Sequence, residues 1–172
     1  SLLSAQQRKI GPDSLPYFSE ADSLYHYVAA RVIKNSVNRA NNYIRLNKGR
    51  ADGIEPNMGV ITPQGVIGIV VDVSENYSLV MSLLHQQAKI SASVVGKKYF
   101  GSLLWRGGDP TKLLLLDIPK HAYIQKGNLI ETSGYSLLFP PGLPIGEITE
   151  LSIGEGSSTY NIQVSLLADL AN

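Results

Sequence analysis

The sequence predicts an all-β protein whose short strands close into barrels or stack into a sandwich. Three observations carry that expectation. Apolar and polar residues alternate along several short runs. Turn-forming residues, among them 16 Gly and 9 Pro, interrupt those runs at close intervals. No stretch after residue 35 keeps the spacing of a long helix. Open sheets of short strands expose unpaired edges, so closure or stacking follows physically.

Residues 1–23 are polar and weakly patterned, with a break at Gly11-Pro12. Leu2, Leu3 and Gln6-Gln7-Arg8-Lys9 read as the frayed end of a helix, and Ser19 with Asp22 as a helix-starting box. This segment is expected to be a partly helical leader, the remnant of a coiled coil or linker. From residue 24 the texture is strand. Tyr43-Ile44-Arg45-Leu46 sends Ile44 and Leu46 to one face and Arg45 to the other. Ile90, Ala92 and Val94 alternate with Ser91 and Ser93, and Ile162, Val164 and Leu166 with Gln163 and Ser165. Val66 to Val71 and Leu113 to Leu116 are nearly continuous, the pattern of strands buried on both sides. The stretch from Val37 to Asn42 reads as a polar loop. Turns are marked by Lys48-Gly49, Asp52-Gly53, Pro63-Gln64-Gly65, Gly107-Gly108-Asp109-Pro110 and Pro140-Pro141-Gly142-Leu143-Pro144. About eleven strand candidates result. A polar cluster, His85-Gln86-Gln87, divides them into a first barrel over 24–86 and a second over 87–172. The last strand, about 160–172, either completes the second barrel or returns to the first.

Of the 172 residues, 44% are hydrophobic and 17% charged, enough to bury a core in one ordinary domain or two small ones. Fifteen Lys and Arg against fourteen Asp and Glu give +1, a balance that argues against a whole-molecule coat for nucleic acid or anionic membrane. The absence of cysteine excludes disulfides, thiol nucleophiles and Cys-based metal sites. No apolar run approaches the ~20 residues that span a bilayer. The opening Ser1-Leu2-Leu3-Ser4 has neither an initiator Met nor a signal-peptide pattern, as expected for a soluble piece of something longer.

Catalytic signals are weak. A serine-hydrolase reading would take Ser133 as nucleophile, His85 or His121 as base, and Asp117 or Asp109 as orienter. However, Tyr135 follows Gly134 where an oxyanion hole would want a second glycine, and Ser133-Gly134 reads equally as a strand end entering a turn. His26, His85 and His121 are scattered without a second metal ligand at site spacing. Gly49-Arg50-Ala51-Asp52-Gly53 lacks the Lys-Ser/Thr pair and following helix of a phosphate loop. Arg31, Lys34, Arg39, Arg45, Lys48 and Arg50 lie in one acid-free stretch that includes Tyr43. That stretch reads either as a solvated strand face or as a single-strand nucleic-acid face, though with only one aromatic well placed for stacking. Asn76-Tyr77-Ser78 matches a glycosylation sequon and reads as a turn.

The order and spacing of the glycine and proline motifs resemble the MreC family of rod-shape-determining proteins, from Tyr27 to Asn172. The carriers are Ala29 to Ile33, Ile44 to Ile54 with Lys48-Gly49 and Asp52-Gly53, Met58-Gly59-Val60-Ile61, and Gln64-Gly65-Val66-Ile67-Gly68. Tyr99-Phe100-Gly101-Ser102-Leu103 follows, then Thr132-Ser133-Gly134 and Phe139-Pro140-Pro141-Gly142-Leu143-Pro144-Ile145-Gly146, with Ala168-Asp169-Leu170 closing the match. Gly127-Asn128 departs from the family's usual Gly-Asp, and the usual coiled-coil heptads before the barrels are missing or truncated. The resemblance implies two small six-stranded β-barrels, trypsin-like in shape without a triad. They would form the periplasmic part of a single-pass inner-membrane protein anchored by an N-terminal helix. It implies a non-enzymatic, cofactor-free scaffold of the elongasome that organises lateral peptidoglycan synthesis. Its partners would be a class B penicillin-binding protein, MreD and RodA, indirectly MreB, and further copies of itself. On this reading Tyr135, Leu137, Leu138 and Phe139 form an apolar partner-binding loop, although Phe139 could equally fill its own barrel. Gly49, Gly53, Gly59, Gly65, Gly68, Thr132, Ser133, Gly134, Pro140, Gly142, Pro144 and Gly146 are assigned to turns and close approaches.

Overall fold

The computed structural model describes residues 2–5, 27–133, 135 and 139–170. The described residues form two antiparallel sheets and a single 3-10 turn, Arg50–Asp52. The first sheet holds β1 (Leu2–Ala5), β2 (Tyr27–Ala30), β3 (Val32–Asn35), β4 (Asn41–Leu46), β5 (Gly59–Thr62), β6 (Gly65–Val73) and β7 (Ser78–His85), in the order β2-β1-β5-β6-β7-β4-β3. Its two edge strands are successive in the chain, separated by Arg31 alone. One bent stretch therefore pairs with β1 through its first half and with β4 through its second, bringing the sheet's edges together. Counted once, that stretch makes the seven-stranded sheet a six-membered ring. Arg31 keeps the bend in register, its backbone bonded both ways to Asn47.

After a turn at Gln86–Gln87, β8 (Lys89–Val94), β9 (Phe100–Leu104), β10 (Lys112–Leu116), β11 (Leu129–Thr132), β12 (Pro144–Ile153) and β13 (Tyr160–Leu166) form a closed six-stranded barrel in the order β10-β13-β12-β11-β8-β9. Closure removes both edges. The alternation read from the sequence decides which side chains fill the interior: Ile44 and Leu46 on β4, Ile90, Ala92 and Val94 on β8, and Ile162 and Val164 on β13 are all buried. The buried residues of both sheets belong to one continuous core. The sheets abut where β12 crosses β6. There a Cβ on Gly65 would lie 2.4 Å from the Pro144 carbonyl oxygen, at a φ of +148°, so this contact needs glycine.

Three expectations need correction. Leu2 and Leu3 lie in a strand, not a helix end: β1 pairs with β2 on one side and β5 on the other, and that ladder overrides local propensity. The rest of the leader, including Gln6 to Lys9, Gly11-Pro12, Ser19 and Asp22, lies outside the described residues. Asn41 and Asn42, expected in a loop, begin β4. The run Leu113 to Leu116 is not buried on both sides; Leu113 and Leu115 enter the core while Leu114 and Leu116 face outward and half-buried. Of the two paths left open for the last strand, β13 takes the one within the second barrel, paired with β10 and β12, and only the residues after it reach the first sheet. There the Asn35 amide donates to the Leu170 carbonyl, and Ala168 and Leu170 are buried. Asn128 accepts from the Gln125 N–H at 2.9 Å, a bond that an aspartate at the same turn position could also make.

Candidate partner-binding face

The outer surface of β11, β8, β9 and β10 is poor in charge. Alternation turns Phe100, Ser102 and Leu104 outward from β9, Ser91 and Ser93 from β8, and Leu114 and Leu116 from β10. The register sets Leu104 opposite Leu114, Ser102 opposite Leu116, and Ser91 opposite Ser102. Val95 and Leu129, both exposed, extend the strip where the Val95 N–H donates to the Leu129 carbonyl. Tyr135, 73% exposed, lies against Phe100, 43% exposed, with ring centroids 4.1 Å apart and planes at 23°. Lys89, Lys112 and Glu131 are the charges on these outer rows. A contiguous apolar and serine surface, with Lys89 and Lys112 at its ends and Glu131 as the one charge within it, has the make-up of an interface core.

Thr132 organises the loop that brings Tyr135 there. Its side chain points inward and is buried, its hydroxyl donates to the Pro140 carbonyl at 2.6 Å, and it accepts from the Leu143 N–H at 2.9 Å. Its own N–H and C=O bond to Leu143 and Gly142. Phe139 is thereby drawn into the core at 1% exposure, the second of the two places open to its ring. Of that loop, Tyr135 is the described residue that reaches the surface; Leu137, Leu138 and Gly134 lie outside the described residues. Of the remaining turn assignments, Gly53 and Gly142 sit in turns at positive φ, Gly59 and Gly65 open strands, and Gly68 and Gly146 lie within β6 and β12. Gly49 packs against the β6–β7 turn, which also carries Asn76 and Tyr77.

Glu131 faces outward among these neutral residues, and partial burial raises its carboxyl above the usual range. A folded-state pKa above the unfolded one favours folding at low pH and loses that advantage as pH rises through it. Glu131→Gln is therefore expected to melt at a higher temperature than the parent at about pH 7 and to show no such gain at about pH 3, below the ordinary carboxylate range. Thermal scans across that interval check it; a gain independent of pH contradicts it.

The residues of the serine-hydrolase reading bond elsewhere. Ser133, 4% exposed, shares a 2.6 Å hydroxyl contact with Ser91 and accepts from the Tyr135 N–H. His85 accepts from the Gln87 N–H at Nδ1, so Nε2 carries the proton and donates to the Tyr43 hydroxyl at 3.0 Å. Burial holds this imidazole below its ordinary pKa, in keeping with the neutral form. His121 packs edge-on against Tyr99, and Asp109 accepts from Thr111. Asp117 adopts φ +72° just after β10. His26 lies outside the described residues, among which no three metal-ligating groups converge. The basic stretch divides. Lys48 pairs with Asp52 at 3.8 Å and Arg50 with Glu75 at 3.7 Å, whereas Lys34, Arg39 and Arg45 surround one groove.

The family model described as "Rod shape-determining protein MreC, barrel core" matches residues 32–172. The chain belongs to the MreC family. It is 32% identical over 152 residues to the cell shape-determining protein MreC of Listeria monocytogenes, covering 86% of this chain and 52% of that protein. It thus spans about half the length of that curated relative. Among solved structures, MreC from Pseudomonas aeruginosa superposes with a TM-score of 0.77 at 24% identity, over 83% of this chain and 92% of that one. A complex between a penicillin-binding protein and MreC from Helicobacter pylori also matches, with a TM-score of 0.59 at 15% identity, covering 96% and 85% of the two chains. The MreC fold, with a closed second barrel, is therefore that of this chain.

Proposed function

We propose that this chain is the extracytoplasmic part of a non-enzymatic scaffold in bacterial cell-shape determination. It docks the non-catalytic portion of a class B penicillin-binding protein on the charge-poor face of its second barrel. The observation that carries the reading is the stacked pair of Phe100 and Tyr135 beside Leu104, Leu114, Val95 and Leu129, apolar surface displayed outward by a closed barrel. That a related protein from Helicobacter pylori forms a complex with a penicillin-binding protein supports the choice of partner. No helix among the described residues is long and apolar enough to cross a membrane. In this reading an N-terminal helix anchors the protein in the inner membrane. In this reading the scaffold belongs to the elongasome, works alongside MreD and RodA, connects through them to MreB, and self-associates.

The mechanism is differential binding. A rigid barrel stabilises whichever conformation of its partner fits the face, and shifts the partner's equilibrium by its difference in affinity for the two states. Interface aromatics commonly contribute about 2 kcal/mol or more each. Tyr135→Glu is therefore expected to weaken binding to the purified penicillin-binding protein about thirtyfold or more, and Phe100→Glu likewise, with circular dichroism unchanged. Full affinity in both folded variants removes this face from the mechanism.

A further inference from the structure

The groove over the first sheet presents a second surface with different chemistry. It holds about 600 Å³ and lies between the β3–β4 loop and the outer face of β4. Lys34, Arg39 and Arg45 line it, and none of its lining residues is acidic. Among the described residues none of these three cations has an ion pair or a side-chain hydrogen bond, in contrast to Lys48 and Arg50. Three like charges in one concavity favour an anion, and focus its approach.

The groove is built. Asn42, fully buried, accepts from the Arg39 N–H at 3.0 Å and donates to the Arg39 and Leu84 carbonyls at 2.8 and 2.7 Å, which fixes the loop carrying Arg39. Tyr43 forms part of the wall and is 40% exposed. Its hydroxyl is tied to His85, whose ring stands nearly perpendicular at 79°, so the phenol is held in place. Asn38 and Asn41 add amides to the lining.

We infer that this groove binds a saccharide bearing carboxylate or phosphate groups. Guanidinium and ammonium groups recognise the acid, the amides suit sugar hydroxyls, and one fixed phenol ring offers a flat face to the C–H side of a pyranose. A single-stranded nucleic acid fits less well. Such strands stack successive bases on several aromatics, and this groove has one. Past Arg45 the surface continues into a neighbouring groove lined by Asp72 and Tyr77, where a carboxylate repels a continuing phosphate backbone.

The ligand class goes beyond the docking reading, and the groove lies on the other sheet, so the two tests fail separately. Binding of amidase-trimmed bacterial glycan strands, whose sugars carry free lactyl carboxylates, would be measured calorimetrically at low salt. The comparison ligands are the same strands after carboxyl reduction, phosphate-bearing wall glycan, oligothymidylate and polyglutamate. The expected result is binding of one of the two acidic glycans, roughly tenfold or more weaker for the reduced strands. A loss of similar size is expected in Arg39→Ala and in Tyr43→Ala. Arg39 is an exposed loop side chain without structural bonds, so its variant keeps the test valid should Tyr43→Ala unfold. The inference is overturned if the folded protein binds neither acidic glycan, or binds the reduced strands equally. It is overturned too if oligothymidylate or polyglutamate binds as tightly, or if Arg39→Ala and Arg45→Ala both leave affinity unchanged.

Discussion

Gly101→Ala is expected to destabilise the second barrel by about 3–5 kcal/mol, a large part of the 5–15 kcal/mol typical of a domain. Gly101 is buried within β9, and a Cβ there would lie 1.9 Å from the Leu116 carbonyl oxygen and 3.3 Å from Ile118 Cδ1. The first contact is far inside van der Waals distance, and its partner is backbone, which cannot rotate away as a side chain would. Relief requires β9 and β10 to part where Ser102 faces Leu116, opening the ladder that closes the barrel. The neighbouring Ser102→Ala, outward-facing, should change stability by no more than about 0.5 kcal/mol. Denaturant unfolding of the two variants makes the comparison. Similar midpoints would mean that the seam tolerates a side chain and that this glycine is dispensable.

Thr132→Val should cost about 2–4 kcal/mol although it preserves shape and volume. The hydroxyl serves two buried backbone groups at once, the Pro140 carbonyl and the Leu143 N–H, and an isosteric methyl serves neither. Thr132→Ser keeps both bonds and should recover most of the loss, leaving about 1 kcal/mol for the missing methyl group. The effect should extend to the surface, because the same loop buries Phe139 and presents Tyr135. Weaker partner binding in Thr132→Val than in Thr132→Ser, at temperatures where both are folded, is the expected companion result. Equal stability of the valine and serine variants would contradict this role for the hydroxyl.

The fold was legible where one face of a strand meets the core. The alternation of Tyr43 to Leu46 and of Ile90 to Val94 predicts burial residue by residue, because a side chain's face is set by parity. The same rule would have found Phe100, since Gly101 and Leu103 face inward and Phe100, Ser102 and Leu104 therefore face out. The glycine beside it, in Tyr99-Phe100-Gly101, is the stronger sequence signal and masks that parity. Leu113 to Leu116 misleads for the opposite reason. An apolar run does not say whether its outward half is covered by the same chain, and here Leu114 and Leu116 meet the half-buried Leu104 and Ser102 of β9. Phe139 and Tyr135 share one loop and one kind of chemistry, and only the Thr132 bonds decide which ring goes inside. β1 was illegible because four residues acquire their conformation from strands distant in sequence. Nor could composition separate the paired cations Lys48 and Arg50 from Lys34, Arg39 and Arg45, since pairing depends on which turn carries an acid nearby.

In the proposed function the outer face of the second barrel, and not the first sheet, meets the penicillin-binding protein. Placing a photo-crosslinking amino acid in turn at Tyr135, at Leu104 and at Tyr77, which is exposed on the first sheet, and irradiating intact cells reads this directly. Adducts to the penicillin-binding protein from positions 135 and 104, with none from 77, are predicted. Adducts from 77 alone would place the docking surface on the first sheet and overturn the proposed docking face.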